Sequence, residues 1–305
     1  MAKRGYLGSM TSSGSPSKNH QNCVKFPSMA TPPTQVTILG CGTSTGVPLI
    51  GCKCSVCRSR NTKNKRLRAS VWVKHHGKSF LIDASTDLRQ QALTNKIERL
   101  DAVLITHPHA DHIHGLDELR SFNFIQKERI PIYGNAWSTQ ELNQKFEYIF
   151  KPKKVEGGGI PLLDLTTLPD HSKPFRAAGV EITPIPVMHG SQRCLGFRFD
   201  ALAYVTDCSH IPQESLDQLR GLDVLILDCL RLTKHPTHFN LDDSLQVIDH
   251  VRPKRTFLTH MGHDIDFEKL SKTLPKGVQL AFDGLTIRVG SKGRTSSVKR
   301  KGLSK

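Results

Sequence analysis

Ten residues, T-H-P-H-A-D-H-I-H-G at positions 106–115, constrain this chain more than any other feature. They follow directly on Ala102-Val103-Leu104-Ile105, a short apolar run with strand character. His107, His109, Asp111 and His112 place four metal-competent groups at the exit of a rigid element. Two imidazoles at i and i+2 of an irregular loop can converge on one ion, and Asp111 and His112 then turn toward a second beside it. Imidazole suits zinc, iron or manganese, and a mixed nitrogen and oxygen set suits two adjacent catalytic metals. A merely His-rich surface turn needs neither this order nor a strand before it. His114 has no role in the pattern.

Such a site needs a further acid and more imidazoles, and three short signals supply them. The β-branched run 180–187 leads into Met188-His189-Gly190, the run 203–206 into Asp207, and the run 256–259 into His260. A residue just past a strand is well placed to point into a cleft at a sheet edge. Further strands are predicted at 34–39, 70–74, 79–82, 102–106, 130–133, 195–199, 224–227, 278–282 and 286–289. Helices are predicted at 115–124, 138–150, 213–219, 241–250 and 267–274, with Ser138 and Glu141 as a capping box and Pro212 in a first turn. Strands outnumber helices in both halves, which fits stacked β layers with helices outside.

Cysteine gives the second strong signal. Three of the 8 cysteines, Cys52, Cys54 and Cys57, form C-K-C-S-V-C. In a long chain with no visible secretory signal, metal binding in a reducing compartment is the better reading of such a cluster. Three thiolates can hold a zinc ion but need a fourth ligand. Spacing does not choose among Cys41, Cys194, Cys208, Cys229 and several histidines. His263 is attractive because T-H-M-G-H puts it three residues after His260.

No apolar run approaches the roughly 18–20 residues needed to cross a bilayer, which excludes an integral membrane protein built on a helix. The net charge of +16 is concentrated in two acid-free tails, leaving +6 on residues 35–289. Residues 1–33 and 290–305 are therefore expected to be a disordered basic leader and tail around a folded domain at 34–289. The expected location is cytoplasmic, with organellar import through the leader as the alternative. Seven cations lie between residues 51 and 68, a stretch without an acid; they could hold a phosphate-bearing substrate, with Arg66 and Arg68 as the candidates, or merely solvate a loop.

These motifs resemble the metallo-β-lactamase-fold hydrolases, whose HxHxDH signature is matched by His107, His109, Asp111 and His112. The similarity runs from about Thr34 to Val289 and includes L-G-C-G-T-S-T-G-V-P and L-I-D-A. It implies an α+β fold, a four-layer αββα sandwich with a dinuclear site at one edge. His107, His109 and His189 would hold one ion, Asp111, His112 and His260 the other, and Asp207 would bridge them. The CxCxxC insertion resembles the subgroup of cyclic-phosphate phosphodiesterases of phosphonate breakdown. That likeness implies a structural zinc on Cys52, Cys54, Cys57 and His263, and a general acid at His238. Cys208 and Ser85 stand where many relatives have Thr and Gly, and neither change removes a ligand.

The expected activity is hydrolysis of a small, cyclic phosphodiester. The expected cofactors are two divalent ions, zinc or manganese, at the active site and one structural zinc. Asp111 would orient the attacking water, and His238 would protonate the leaving group. Two alternatives compete with this reading. One is a tRNA 3′-processing-type endoribonuclease, and the other is a catalytically inert, zinc-stabilised nucleic-acid-binding module. The basic tails make nucleic acid a partner to consider without favouring it. A homodimer stays open, with no apolar helical patch to mark its interface.

Overall fold

The computed structural model describes residues 33–152, 159–169, 173–290 and 296–297. Its first six strands are β1 (Gln35–Gly40), β2 (Ser70–His75), β3 (Lys78–Ile82), β4 (Ala102–Leu104), β5 (Ile130–Gly134) and β6 (Leu163–Thr167). Seven more follow: β7 (Phe175–Ala177), β8 (Val180–His189), β9 (Gln192–Phe199), β10 (Leu202–Val205), β11 (Val224–Asp228), β12 (Arg255–Thr259) and β13 (Val278–Leu280). The chain then returns through β14 (Leu285–Arg288) and β15 (Ser296–Ser297) to the first sheet. One sheet has eight strands in the order β15-β14-β1-β2-β3-β4-β5-β6, and the other has seven, β13-β12-β11-β10-β9-β8-β7.

Side-chain alternation along these strands produces the layers. Val71, Val73, Phe80, Ile82 and Leu104 turn inward to meet Phe197, Phe199, Tyr204 and Ile226 of the facing sheet. Trp72, Leu81 and Val103 turn outward under helices α1 (Leu88–Asn95) and α3 (Leu119–Gln126), and a short α2 (Ala110–Ile113) lies between these two. On the far side, Val187, Val205 and Leu227 meet residues of α6 (Gln213–Gln218) and α7 (Leu241–Val251). The result is the predicted four-layer αββα sandwich. Burying one large apolar side chain is worth about 1.5–3 kcal/mol, so the layer between the sheets and the layers under the helices all stabilise the fold.

Helix ends differ from the sequence expectation for identifiable reasons. Helix α4 (Ala136–Lys145) starts before Ser138, because Asn135 Oδ1 accepts from Ser138 N at 2.9 Å. Glu141 pairs with Lys145 instead of closing a capping box. Phe146, outside helical geometry at φ −120° and ψ 41°, divides α4 from α5 (Glu147–Phe150). The capping box that does form is Asn240 with Asp243, at the start of α7. A 3-10 turn at Leu116–Glu118 replaces the first part of the helix expected from 115. A last helix, α8 (Phe267–Ser271), is shorter than expected.

The leader at 1–33 and the tail at 290–305 lie outside the described residues apart from 33, 290 and 296–297. Ser296 and Ser297 pair with Thr286 and Leu285. Among the described residues, no helix is long and apolar enough to cross a membrane.

Candidate active site

Strands β3, β4, β5 and β6 pair in parallel, as do β10, β11, β12 and β13. Their C-terminal ends therefore share an edge within each sheet, and chemistry-bearing residues sit just beyond them. Asp83 after β3, Asp207 after β10 and His260 after β12 have φ of 64°, 52° and 59°. Left-handed backbone is unusual for residues other than glycine and re-aims each side chain across the edge. A close approach completes the cradle. A Cβ on Gly115 would lie 2.0 Å from Ser85 O, so only glycine lets the loop after β4 settle on the turn after β3.

The predicted ligand residues converge. His107 Nε2 and His109 Nδ1 are 2.9 Å apart, and with His189 they offer nitrogens lying within 4.8 Å of one another. His112 Nε2 lies 3.1 Å from Asp111 Oδ2 and 3.5 Å from Asp207 Oδ1. His260 Nε2 stands 3.3 Å from Asp207 Oδ2 and 3.6 Å from Asp111 Oδ2. Asp207 also approaches His107, at 3.7 Å, so it touches both groups. His109 is on the exposed rim, whereas His107, His112 and His260 are buried. His114 is exposed and turned toward Phe146.

Electrostatics show what this cage accepts. Burial works against charge on His112 and His260, yet the surrounding carboxylates prevail. They raise His112 well above the ordinary imidazole range and His260 to about 8. Asp207 is held well below the usual carboxylate range, against its burial, by His260, His112 and His107. His107, deepest among other imidazoles, is pushed down by burial. Asp111 Oδ2, His112 Nε2 and His260 Nε2 are buried with no hydrogen bond. Orphaned donor atoms of this kind, in a pocket rich in negative charge, fit divalent cations.

Outer partners orient these groups. Asp83 Oδ2 lies 2.7 Å from His112 Nδ1, and Thr237 O accepts from His189 Nδ1 at 2.8 Å. His238 Nδ1 is 3.3 Å from Asp228 Oδ2 and 3.8 Å from Asp207 Oδ2, so it borders the cage. Asp228 also accepts from Cys208 N and Phe239 N, at 3.2 Å each. Sequence reading missed Asp83 and Asp228 as site residues. Asp83 was in view within L-I-D-A, and Asp228 carries the same signal as Asp207, an acid ending a β-branched run.

The four cysteine-loop groups also meet. Cys52, Cys54, Cys57 and His263 offer atoms within 4.8 Å of one another, with His263 Nδ1 at 3.4 and 3.5 Å from the first two sulfurs. The sulfur-to-nitrogen edge of a zinc tetrahedron is about 3.5 Å, so the set fits.

Arg66 corrects the sequence expectation. It is 2% exposed and donates to Gly262 O at 2.7 Å, Ile265 O at 2.6 Å and Asn64 Oδ1 at 3.2 Å. It therefore braces the cysteine loop against the His263 segment and does not face substrate. Arg68 is partly exposed, but its guanidinium is held by Asp87 at 3.0 Å and by Ser44 O at 3.3 Å.

The family model for a beta-lactamase superfamily domain matches residues 78–261, which contain every predicted active-site ligand. The chain belongs to the beta-lactamase superfamily. As a member of that superfamily it is a metal-dependent hydrolase. A solved superfamily structure described as a new diphosphatase from the PhnP family is 42% identical, with TM-score 0.77, covering 84% of this chain and 96% of that one. Zinc-bound PqqB from Methylobacterium extorquens, at 20% identity and TM-score 0.65 over 83% of this chain and 99% of its own, shares the fold. So does the short form of human tRNase Z, at 17% and 0.61 over 84% and 100%. A curated protein of Porphyromonas gingivalis named octanoyltransferase is 35% identical over 260 residues, 84% of this chain. The match spans only 52% of that relative's length.

Proposed function

We propose that this superfamily member hydrolyses a phosphodiester bond in a small phosphorylated molecule, a cyclic phosphodiester being the first substrate to test. The observation that carries the reading is a His238–Asp228 pair standing beside the His/Asp cage. His107, His109 and His189 would hold one divalent ion, and Asp111, His112 and His260 a second, with Asp207 between them. Zinc or manganese suits both positions, and Cys52, Cys54, Cys57 and His263 would hold a structural zinc. When bound, the two active-site ions acidify water and neutralise phosphoryl oxygens.

The chain's own groups supply the rest. Asp111, beside His112 and His260, would orient the attacking water and draw off its proton. Asp228, accepting from His238 Nδ1–H, fixes the ring's orientation and leaves Nε2 as the atom that would carry a proton to the departing alkoxide. Trp137 stands edge-on to His109, with ring centroids 5.7 Å apart. The 42% identical diphosphatase supports a leaving group attached to phosphorus through a bridging oxygen, a feature common to diphosphates and phosphodiesters. Octanoyl transfer is not carried over, because about half of the relative bearing that name has no counterpart here.

The test is elemental analysis together with a substrate panel of cyclic phosphodiesters, linear dinucleotides, diphosphate diesters and pre-tRNA. Turnover of the small esters with pre-tRNA left intact supports this reading. Cleavage of pre-tRNA without turnover of the small esters would replace it with the endoribonuclease reading.

A further inference from the structure

A second constellation lies at the opposite end of the sandwich. Strand β2 runs away from the catalytic edge and ends at His75, and the chain turns through His76 and Gly77 into β3, with His75 opposite Lys78. In the facing sheet, β9 ends at Phe199, opposite Leu202 of β10, and Asp200 stands in the turn between them. His76 and Asp200 have φ of 48° and 49°, left-handed values that close each of the two turns. Asp200 Oδ2 lies 3.6 Å from both His75 Nε2 and His76 Nε2.

The two imidazoles stack with centroids 4.0 Å apart, and all three donor atoms lie within 4.8 Å of one another. His75 is buried, its side chain 1% exposed, and it meets Phe199 edge-on. On its far side, His75 Nδ1 is 2.6 Å from Thr34 Oγ1. With that hydroxyl accepting from Nδ1–H, Nε2 presents a bare lone pair to Asp200, the arrangement that metal-binding imidazoles adopt.

We propose that His75, His76 and Asp200 form a separate divalent metal site, for a borderline cation such as zinc, nickel or copper, that ties the two sheets together away from catalysis. Three protein donors leave room for water to complete the coordination. His76 and Asp200 are more than half exposed, so the ion exchanges with solvent while His75 anchors it from within. Its consequence is metal-dependent stability. Chemistry at the other edge, roughly 16 Å away along the five residues of β3, proceeds without it.

The experiment uses the full chain with its active-site and cysteine sites already filled, titrated with nickel or zinc and followed by calorimetry and thermal denaturation. His76→Ala and Asp200→Asn should each take up one ion fewer per chain and lose the metal-dependent rise in Tm, with phosphodiester turnover unchanged. Thr34→Val should weaken this uptake about tenfold. Retention of the cysteine-bound zinc in each variant reports that it has folded. If both exposed-residue variants bind as many ions as the wild type, with equal affinity, the three residues are a solvated cluster and the proposal fails.

Discussion

Asp83 Oδ2 meets His112 Nδ1 at 2.7 Å, and neither side chain is exposed to solvent. Asp83 is itself fixed from two sides, since Thr106 donates to it through its backbone N–H and its hydroxyl, both at 2.8 Å. A carboxylate in that position keeps the imidazole proton on Nδ1 and leaves Nε2 facing Asp111. Asp83→Asn retains the shape, and asparagine tolerates the left-handed backbone. Its amide, however, donates toward Nδ1 and moves the ring proton to Nε2, the atom that would bind the ion. Metal affinity at this position should fall about 10–100-fold. Competition with a chelator measures it, and unchanged affinity would mean that the ring orients itself.

Arg66 makes a contrasting prediction. Its hydrogen bonds to Gly262 O and Ile265 O join segments about 200 residues apart, and Asn64 Oδ1 accepts from the same guanidinium locally. Arg66→Ala leaves buried carbonyls without donors, which should cost about 2–4 kcal/mol of stability. It should also loosen the cysteine loop from His263 and speed zinc release. Denaturant titration and a zinc-sensitive dye read the two effects. A variant with normal stability but raised KM would reinstate the substrate role that sequence suggested for Arg66.

These two residues show where sequence is readable and where it is not. Local order makes the metal cage legible. His107 to His112 follow one strand, and His189, Asp207 and His260 each follow another, so the parallel ends of the strands bring them together. The layers are legible for the same reason, because alternation in runs such as Val71–Val73 is a local property. Arg66 is not legible, because its burial depends on carbonyls contributed by a distant segment, and a loop dense in cations reads as solvated. Helix α1 is hidden too, since L-R-Q-Q-A-L-T-N has no apolar stripe and its place is set by packing around Leu88. Asp228 carries the same local signal as Asp207, but its role is set by His238, ten residues further on in a loop, and a strand end alone does not reveal that partner.

The cysteine loop should lose its metal in acid. Cys57 N–H and His263 pull the Cys54 thiol down to about 6, whereas burial pushes Cys57 up to about 11. A depressed acid contributes its stabilisation above its unfolded pKa of 9.0, and that contribution fades as pH falls through about 6. Zinc uptake must also displace the proton from Cys57, so affinity rises with pH. Chelator should therefore strip zinc faster at about pH 5 than at about pH 8. Release rates equal at both values would show that these thiols are not the ligands.

The His238–Asp228 pair separates proton delivery from metal binding. His238 Nδ1 lies 3.3 Å from Asp228 Oδ2, and Ser244 Oγ donates to Asp228 O at 2.7 Å, so helix α7 steadies the acid. His238→Gln should preserve metal content and lower kcat by about two to four orders of magnitude on an ester with a poor leaving group. The loss should shrink for a nitrophenolate, which departs without a proton. Asp228→Asn should fall between wild type and His238→Gln, because the ring loses the carboxylate that orients it. Elemental analysis beside each rate keeps the two causes apart. If His238→Gln loses as much activity on the nitrophenyl ester as on the alkyl ester, proton delivery to the leaving group is not what this histidine does.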